Sequence, residues 1–367
     1  MILEQLTLIN FRNYQEQIVS FDPKTNVIVG KNGEGKTNLL EGIYFLAGAR
    51  SFRSRFDKEL LAFHSQHAEI RAKVFLENRP QELIIRLKQG RKKEILLNDV
   101  PQKKSSDLLG RVKLVLFCPD DLYLVRGGAT QRRKMMDSCI SQLRPKYAIW
   151  LQQFQKLYEH KTRILKDYRE KPDLLLTLDD FNLQLAKVGA QLIYYRAAFV
   201  KKLAPIAKQI HGDFSGGLEK LSLSYQTVSE IEDLEEKPEV LLEQLMIQQT
   251  RLRQREIAAG ACLAGIQKDD IEISINGNLA KSFASQGQTR TAALSLKLAE
   301  RELMYEDTGE YPLLLLDDVL SELDQDRQDF ILNRIGSGQV FITCCEDKEI
   351  AKRTGGMVLE IKKGQVV

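Results

Sequence analysis

Gly30-Lys31-Asn32-Gly33-Glu34-Gly35-Lys36-Thr37 is the stretch of this chain with the plainest chemical content. Two glycines five positions apart, followed by lysine and threonine, make a phosphate cradle: glycine lets successive backbone N–H groups converge on one anion, and the helix that follows adds its positive end. Lys36 would reach the β- and γ-phosphates of a nucleoside triphosphate, and the Thr37 hydroxyl would hold Mg2+. The context fits, because apolar Val27-Ile28-Val29 precedes the loop and Leu39, Leu40, Ile43 and Leu46 share one helical face after it. A chance glycine turn would need neither flank.

Leu313-Leu314-Leu315-Leu316-Asp317-Asp318 is the second such stretch. An apolar run ending in an acid is a buried strand with a carboxylate at its tip, where Asp317 can hold Mg2+ and Asp318 can act as the water-activating base. The third is Ser285-Gln286-Gly287-Gln288, ahead of an amphipathic segment. Its S-x-x-Q spacing is that of a capping box. A capped helix start with a hydroxyl and free N–H groups is also an anion site.

The elements that must carry these groups follow from hydrophobic period. Residues 17–21, 26–29, 68–76, 81–88, 93–97 and 111–117 read as strands, the first two joined by a turn at Asp22-Pro23. From about Gln131 the period becomes helical. Residues 147–168, 178–210 and 238–259 form amphipathic helices, the first two about 35 and 50 Å long at 1.5 Å per residue. Alternation returns at 271–275, where Asn276-Gly277 predicts a hairpin with 279–283 as its returning strand. A helix over 287–304 and the strand 313–316 follow. The fold class expected is α/β, an ATPase head made from both chain ends (1–125 and 265–367) around an inserted, mainly helical lobe (126–264).

Composition excludes several function classes. With 43% hydrophobic and 28% charged residues, wholesale disorder is out. No apolar run approaches the ~20 residues of a membrane span, and Met1-Ile2-Leu3-Glu4-Gln5 lacks the features of a secretion signal. The five cysteines are odd in number and form no CxxC pair, which argues against a disulfide framework or a thiolate zinc site. His64 and His67 have no partner ligands nearby, so no metal site is expected there. A reducing, cytoplasmic setting is expected. The net charge of +4 is too small to imply a polyanion partner by itself.

Lys36 and Asp317 are 281 positions apart in a chain of 367 residues. That spacing resembles the ABC-type heads of SMC and Rad50 proteins rather than nucleotide kinases or small GTPases, whose two elements lie close together. In its full set of motifs the chain resembles the RecF family of bacterial recombination-repair ATPases. The carriers are Phe11-Arg12-Asn13-Tyr14, the glycine loop, Phe117-Cys118-Pro119-Asp120-Asp121-Leu122 with Gly127, Arg132-Arg133 and Asp137, Ala284-Ser285-Gln286-Gly287-Gln288, Leu296-Lys297-Leu298-Ala299-Glu300, Leu315 to Asp324, and Gln339 to Thr343. The resemblance implies ATP and Mg2+ as cofactors, ATP-driven homodimerisation and slow, DNA-stimulated hydrolysis that works as a switch. It also implies binding to single-stranded, double-stranded and junction DNA, and work with RecR and RecO to load RecA. By position, Ser285 to Gln288 would contact the nucleotide of the opposite subunit. Ser321 to Asp324 would form the dimer loop, and Asn13 and Lys31 would lie near the nucleotide.

Gly265-Ile266-Gln267-Lys268-Asp269-Asp270 and Ala259-Gly260-Ala261-Cys262 depart from the family's pattern, so no role carries over there. DNA contact has support of its own in four basic clusters: Arg50, Arg53 and Arg55 around Phe52; Arg91-Lys92-Lys93; Arg132-Arg133-Lys134; and Arg251, Arg253 and Arg255. Cations at turns and helix ends neutralise phosphates, and one or two of these clusters are expected to touch DNA. The competing readings are an SMC/Rad50-like tether, a transporter-type ABC ATPase and a small-metabolite kinase. A helical lobe of this length is no coiled-coil arm, and the wide motif spacing disfavours the other two.

Overall fold

In the computed structural model of the chain, which describes residues 1–345 and 348–367, the chain divides into two units, Met1–Tyr123 with Lys297–Val367 and Leu124–Leu296. The first unit opens with β1 (Ile2–Phe11), β2 (Tyr14–Ser20), β3 (Thr25–Val29) and α1 (Lys36–Phe45). The meander β4 (His67–Leu76), β5 (Arg79–Lys88), β6 (Glu94–Leu97) and β7 (Val100–Pro101) follows, then β8 (Leu114–Phe117). β1 pairs with both β2 and β4, giving an antiparallel sheet in the order β2-β1-β4-β5-β6-β7. Its core-facing positions, among them Leu6, Leu8, Ile70, Ala72, Leu83 and Ile85, pack against Leu39, Leu40 and Ile43 of α1.

The second unit holds α2 (Ala129–Leu143), α3 (Pro145–Asp167), α4 (Leu178–Phe214), β9 (Leu221–Gln226), α5 (Pro238–Ala259), β10 (Asp270–Ile275), β11 (Asn278–Leu279) and α6 (Ala280–Phe283). α7 (Gln286–Thr308) begins in this unit and ends in the first. Two differences from the sequence reading lie here. The hairpin at Asn276-Gly277 forms, but 279–283 is not a strand: β11 pairs over two residues and α6 follows. Ala280 is buried while Lys281, Ser282 and Phe283 are all exposed, so the alternation that fixes a strand's face is missing. The expected limit at 264/265 also differs from the observed one at 296/297, because β10 pairs along its whole length with β9.

The departing segment is pinned in the buried interior of this unit through Ile266 and Asp269. Arg196 of α4 is fully buried and donates to Asp269 at 3.0 Å, to the Ile266 carbonyl at 2.7 Å and to Asp137 of α2 at 3.0 Å. Tyr225 and Thr227 also donate to Asp269. Burial still pushes the Asp269 carboxyl above the usual aspartate range, against the pull of Arg196. Arg132 holds both oxygens of Asp270 through Nε and Nη2, at 2.7 and 2.8 Å. Its own side chain is only 4% exposed. The placement of Arg132 among DNA-contact candidates is therefore corrected: its charge is spent inside the unit. Arg133 donates to the Asp269 carbonyl at 2.6 Å, and Lys134 is exposed.

The chain then returns to the first unit with β12 (Leu313–Leu316), α8 (Gln325–Arg334), β13 (Val340–Cys344), α9 (Lys348–Thr354), β14 (Met357–Lys362) and β15 (Gln365–Val366). These late strands pair with early ones in the order β15-β14-β3-β13-β12-β8, parallel throughout except at β15. β12 and β13 are buried at every position, as a parallel sheet covered on both faces requires. Gln339 stitches the ends together: its side-chain amide accepts from Leu3 N–H at 2.7 Å and donates to the Leu3 and Asp22 carbonyls at 2.8 Å each.

Replacing Arg196 by alanine leaves the buried Asp269 and the partly buried Asp137 without their cation. Urea unfolding should show a loss of about 3–5 kcal/mol; a loss within experimental error would remove Arg196 as the pin of the second unit.

Candidate functional site

All the groups with phosphate chemistry in the first unit sit at the carboxyl ends of β3, β13 and β12, the edge where open α/β sheets bind ligands. β3 ends at Val29 and runs into the glycine loop. Gly30 must be glycine: its φ is +154°, and a Cβ there would lie 2.5 Å from the Ile361 carbonyl oxygen of β14. Gly35 has φ +122°, and a Cβ would lie 2.7 Å from Asn13. Asn13 and Tyr14 brace the loop from the turn between β1 and β2, donating to the Glu34 and Gly35 carbonyls, each at 2.9 Å. Burial raises the Tyr14 hydroxyl well above the tyrosine range, so it stays a donor. Asn13 thus does lie against the loop, and Lys31 is an exposed member of it.

Lys36 is 4% exposed, and its ammonium donates to the Gly30 carbonyl at 2.7 Å and the Lys31 carbonyl at 3.3 Å. Cys345, just past β13, places its Sγ 3.4 Å from that ammonium and 2.8 Å from Asn32 Oδ1. Thr37, the second residue of α1, donates to Asp317 Oδ1 at 2.9 Å, although the two are 280 positions apart in the chain. The same Asp317 oxygen accepts from Thr343 at 3.0 Å, and Thr343 Oγ1 accepts from the Asp318 N–H at 2.8 Å. Thr343, on the strand between the other two, is the residue that the sequence reading quoted but gave no role. A hydroxyl at the carboxyl end of an otherwise apolar strand is the signal for it.

The two acids differ in environment. Burial raises the Asp317 carboxyl above the ordinary aspartate range, partly offset by the Thr37 and Thr343 hydroxyls and reinforced by Asp318 beside it. Among the described residues no group of three or more acids, histidines or cysteines gathers at a metal-binding spacing. Thr37 and Asp317 nevertheless suit Mg2+, which takes hard oxygens and is held by one or two protein groups plus phosphates. Asp318 has φ +52°, and one of its carboxylate oxygens is buried without a hydrogen-bond partner. That oxygen is an acceptor with capacity to spare. Ser321 donates to the Asp318 carbonyl at 2.6 Å, and Asp324 caps α8 by accepting from Arg327 N–H at 3.0 Å.

Glu41, one turn along α1, is fully buried and was not foreseen. Burial would raise its carboxyl, but Arg12, Ser51 and Arg53 hold it below the usual range. Arg12 binds both its oxygens, at 2.8 and 2.9 Å, and Arg53 donates to one at 2.8 Å. Arg53 is therefore tied inward through part of its guanidinium. Arg50 and Arg55 are exposed, with Arg55 over the Phe56 ring.

In the second unit the Ser285 turn forms a full capping box. Ser285 N–H donates to Gln288 Oε1 at 2.8 Å, and Gln288 N–H donates to Ser285 Oγ at 3.1 Å. Ser285 and Gln286 are exposed, while Gly287 and Gln288 are partly so.

The model of the "RecF/RecN/SMC N terminal domain" family matches residues 2–365. The DNA replication and repair protein RecF of Alkaliphilus oremlandii is 39% identical over the whole of both chains, and that of Clostridioides difficile is 39% identical over the whole of this chain and 98% of its own. The chain belongs to the RecF family. A solved structure of the recombination mediator protein RecF-ATPrS in the RecFOR pathway superposes with a TM-score of 0.93 at 32% identity, covering 99% of this chain and 97% of that one. An SMC head domain with an extended coiled coil from Pyrococcus furiosus matches at a TM-score of 0.56 and 15% identity, which relates the folds alone. The α/β ABC-type head read from the sequence is thus the fold this RecF-family chain has.

Gly30→Ala must displace the Ile361 carbonyl as well as strain φ, whereas Gly33, at φ +85°, has nothing within 4 Å of a new Cβ. Thermal unfolding should place Gly30→Ala at least about 2 kcal/mol below Gly33→Ala. Equal midpoints would show that the loop yields at Gly30.

Proposed function

We propose that this chain is an ATP-controlled DNA-binding protein of replication and recombinational repair, in which nucleotide binding closes two copies on each other and hydrolysis releases them. The observation that carries the reading is the Thr37–Asp317 hydrogen bond, which joins phosphate cradle and acidic strand in one part-buried pair. RecF relatives solved as RecF-ATP and RecF-ATPrS support ATP as the nucleotide.

The geometry supports a division of labour among these residues. The glycine loop and Lys36 bind and orient the triphosphate. Thr37 and Asp317 are the groups that would hold Mg2+, which supplies charge neutralisation at the β- and γ-phosphates. Burial makes the Asp317 carboxylate costly on its own, and a cation held beside it would offset that cost by favouring the ionised form. The unpartnered oxygen of Asp318 takes the attacking water and accepts its proton. Thr343 fixes both acids at once, one by its hydroxyl proton and the other by its lone pair.

Ser285 to Gln288 would cap the γ-phosphate of the opposite subunit, with Ser321 and Asp324 in the loop between subunits. DNA would then meet exposed cations, of which Arg50, Arg55 and Lys134 keep more freedom than Arg53, the half-buried Arg133 and the buried Arg132. RecR, RecO and, indirectly, RecA are the partners this reading adds, on the strength of the family and of the RecFOR pathway named for the solved relative.

Light scattering of the protein on DNA should register a doubling of mass when ATP and Mg2+ are added, and Lys36→Ala should stay at the monomer mass. A wild-type monomer at saturating ATP would overturn the reading. Asp318→Asn should bind ATP with unchanged affinity yet hydrolyse it at least ~100-fold more slowly. Full turnover in that variant would remove Asp318 as the base.

A further inference from the structure

The Ser285 turn is held within its own unit by side chains that the motif itself does not contain. Gln288 spends its carbonyl and its backbone N–H on Ser285. Its side-chain NH2 donates to Glu219 Oε1 at 2.8 Å. The other Glu219 oxygen meets His211 Nε2 at 3.0 Å, and His211 Nδ1 lies 3.4 Å from Ser295 Oγ, two turns further along α7. Glu219 follows α4 and precedes β9, and its own N–H donates to Ser215 Oγ at 3.1 Å. The carboxylate is therefore anchored at both its side chain and its backbone.

A capping box needs only the two bonds between Ser285 and Gln288. The third bond does something else. A carboxylate can only accept, so it dictates which end of the Gln288 amide faces it. Turned over, that amide would set Oε1 against the carboxylate and NH2 against the Ser285 N–H, replacing two hydrogen bonds by two repulsions. His211 is fully buried, and burial holds its imidazole below the ordinary range despite Glu219. The neutral ring then carries its proton on Nε2, where the carboxylate accepts it. With Gln288 fixed, Ser285 Oγ accepts from the Gln288 N–H and keeps its own proton as the one donation left to it.

We infer that Glu219 is a positioning residue for the Ser285 turn, fixing through Gln288 the direction in which the Ser285 hydroxyl donates to the terminal phosphate of a nucleoside triphosphate bound by a second copy of this chain. The inference rests on the cross-subunit reading of that turn. His211 supports Glu219 from inside the unit.

Two measurements on Glu219→Ala and Glu219→Gln test it. Hydrogen exchange followed by mass spectrometry should show the Ser285 and Gln288 amides of Glu219→Ala exchanging about tenfold faster, with the Arg196 pin unchanged. The ATP-dependent dimer of Glu219→Ala should dissociate about tenfold more readily while fluorescent-nucleotide affinity of the monomer holds. Glu219→Gln, which still offers an acceptor to Gln288, should restore both. Unchanged exchange at Ser285 and Gln288 in Glu219→Ala overturns the inference, and so does equal weakening in the alanine and glutamine variants. A wild-type protein that never dimerises defeats the cross-subunit reading instead, and leaves the exchange result to decide whether Glu219 orients the turn.

Discussion

The hydroxyl of Thr343 is the point on which the first unit's chemistry turns. β13 lies between β3 and β12 in the sheet, so its last residues stand between the glycine loop and the acidic strand tip. One hydroxyl there donates to Asp317 and accepts from the backbone of Asp318. Thr37 completes the arrangement from the start of α1. Three segments remote in the chain are thereby placed within hydrogen-bond reach by parallel strand pairing, with register rather than local sequence setting the distances.

Adjacent aspartates acquire different characters from that arrangement. Asp317 is bonded by two hydroxyls and lies at the end of a buried strand, which suits a group that holds a cation. Asp318 turns away through a left-handed backbone conformation, in which its side chain leaves the line of the strand and keeps an acceptor oxygen unspent. That left-handed conformation is what separates the surroundings of the two carboxylates. Ser321 on the Asp318 carbonyl and Gln328 on the Leu320 and Leu323 carbonyls brace the turn that imposes it.

Much of this was legible in the residues because the decisive signals are local. The glycine loop, the apolar run ending in acids and the serine-led helix start each carry their chemistry within eight positions, and α5 spans the very residues that its period marks. What escaped were properties set by distant partners. Arg132 belongs to a basic triplet by sequence, yet Asp270, 138 positions away, draws it into the interior. Glu41 looks like any acid on a helix until Arg12 and Arg53 close on it. β9 was invisible because Leu221–Gln226 has only two buried positions and takes its strand identity from β10. Residues 279–283 do not alternate in burial, and after Leu279 the chain turns into α6 instead of continuing a strand.

The pairing of β3 has a consequence for how such a molecule is made. Its two neighbours, β13 and β14, emerge only after the helical insertion, more than 300 positions further along the chain. Until then the strand that leads into the glycine loop has bare edges on both sides, and no early segment can satisfy its amides. Synthesis therefore proceeds with the central seam of the ATPase sheet open while the helical insertion is already complete. An open seam of this kind leaves unpaired strand edges exposed during synthesis, the state in which misassembly and aggregation compete with folding.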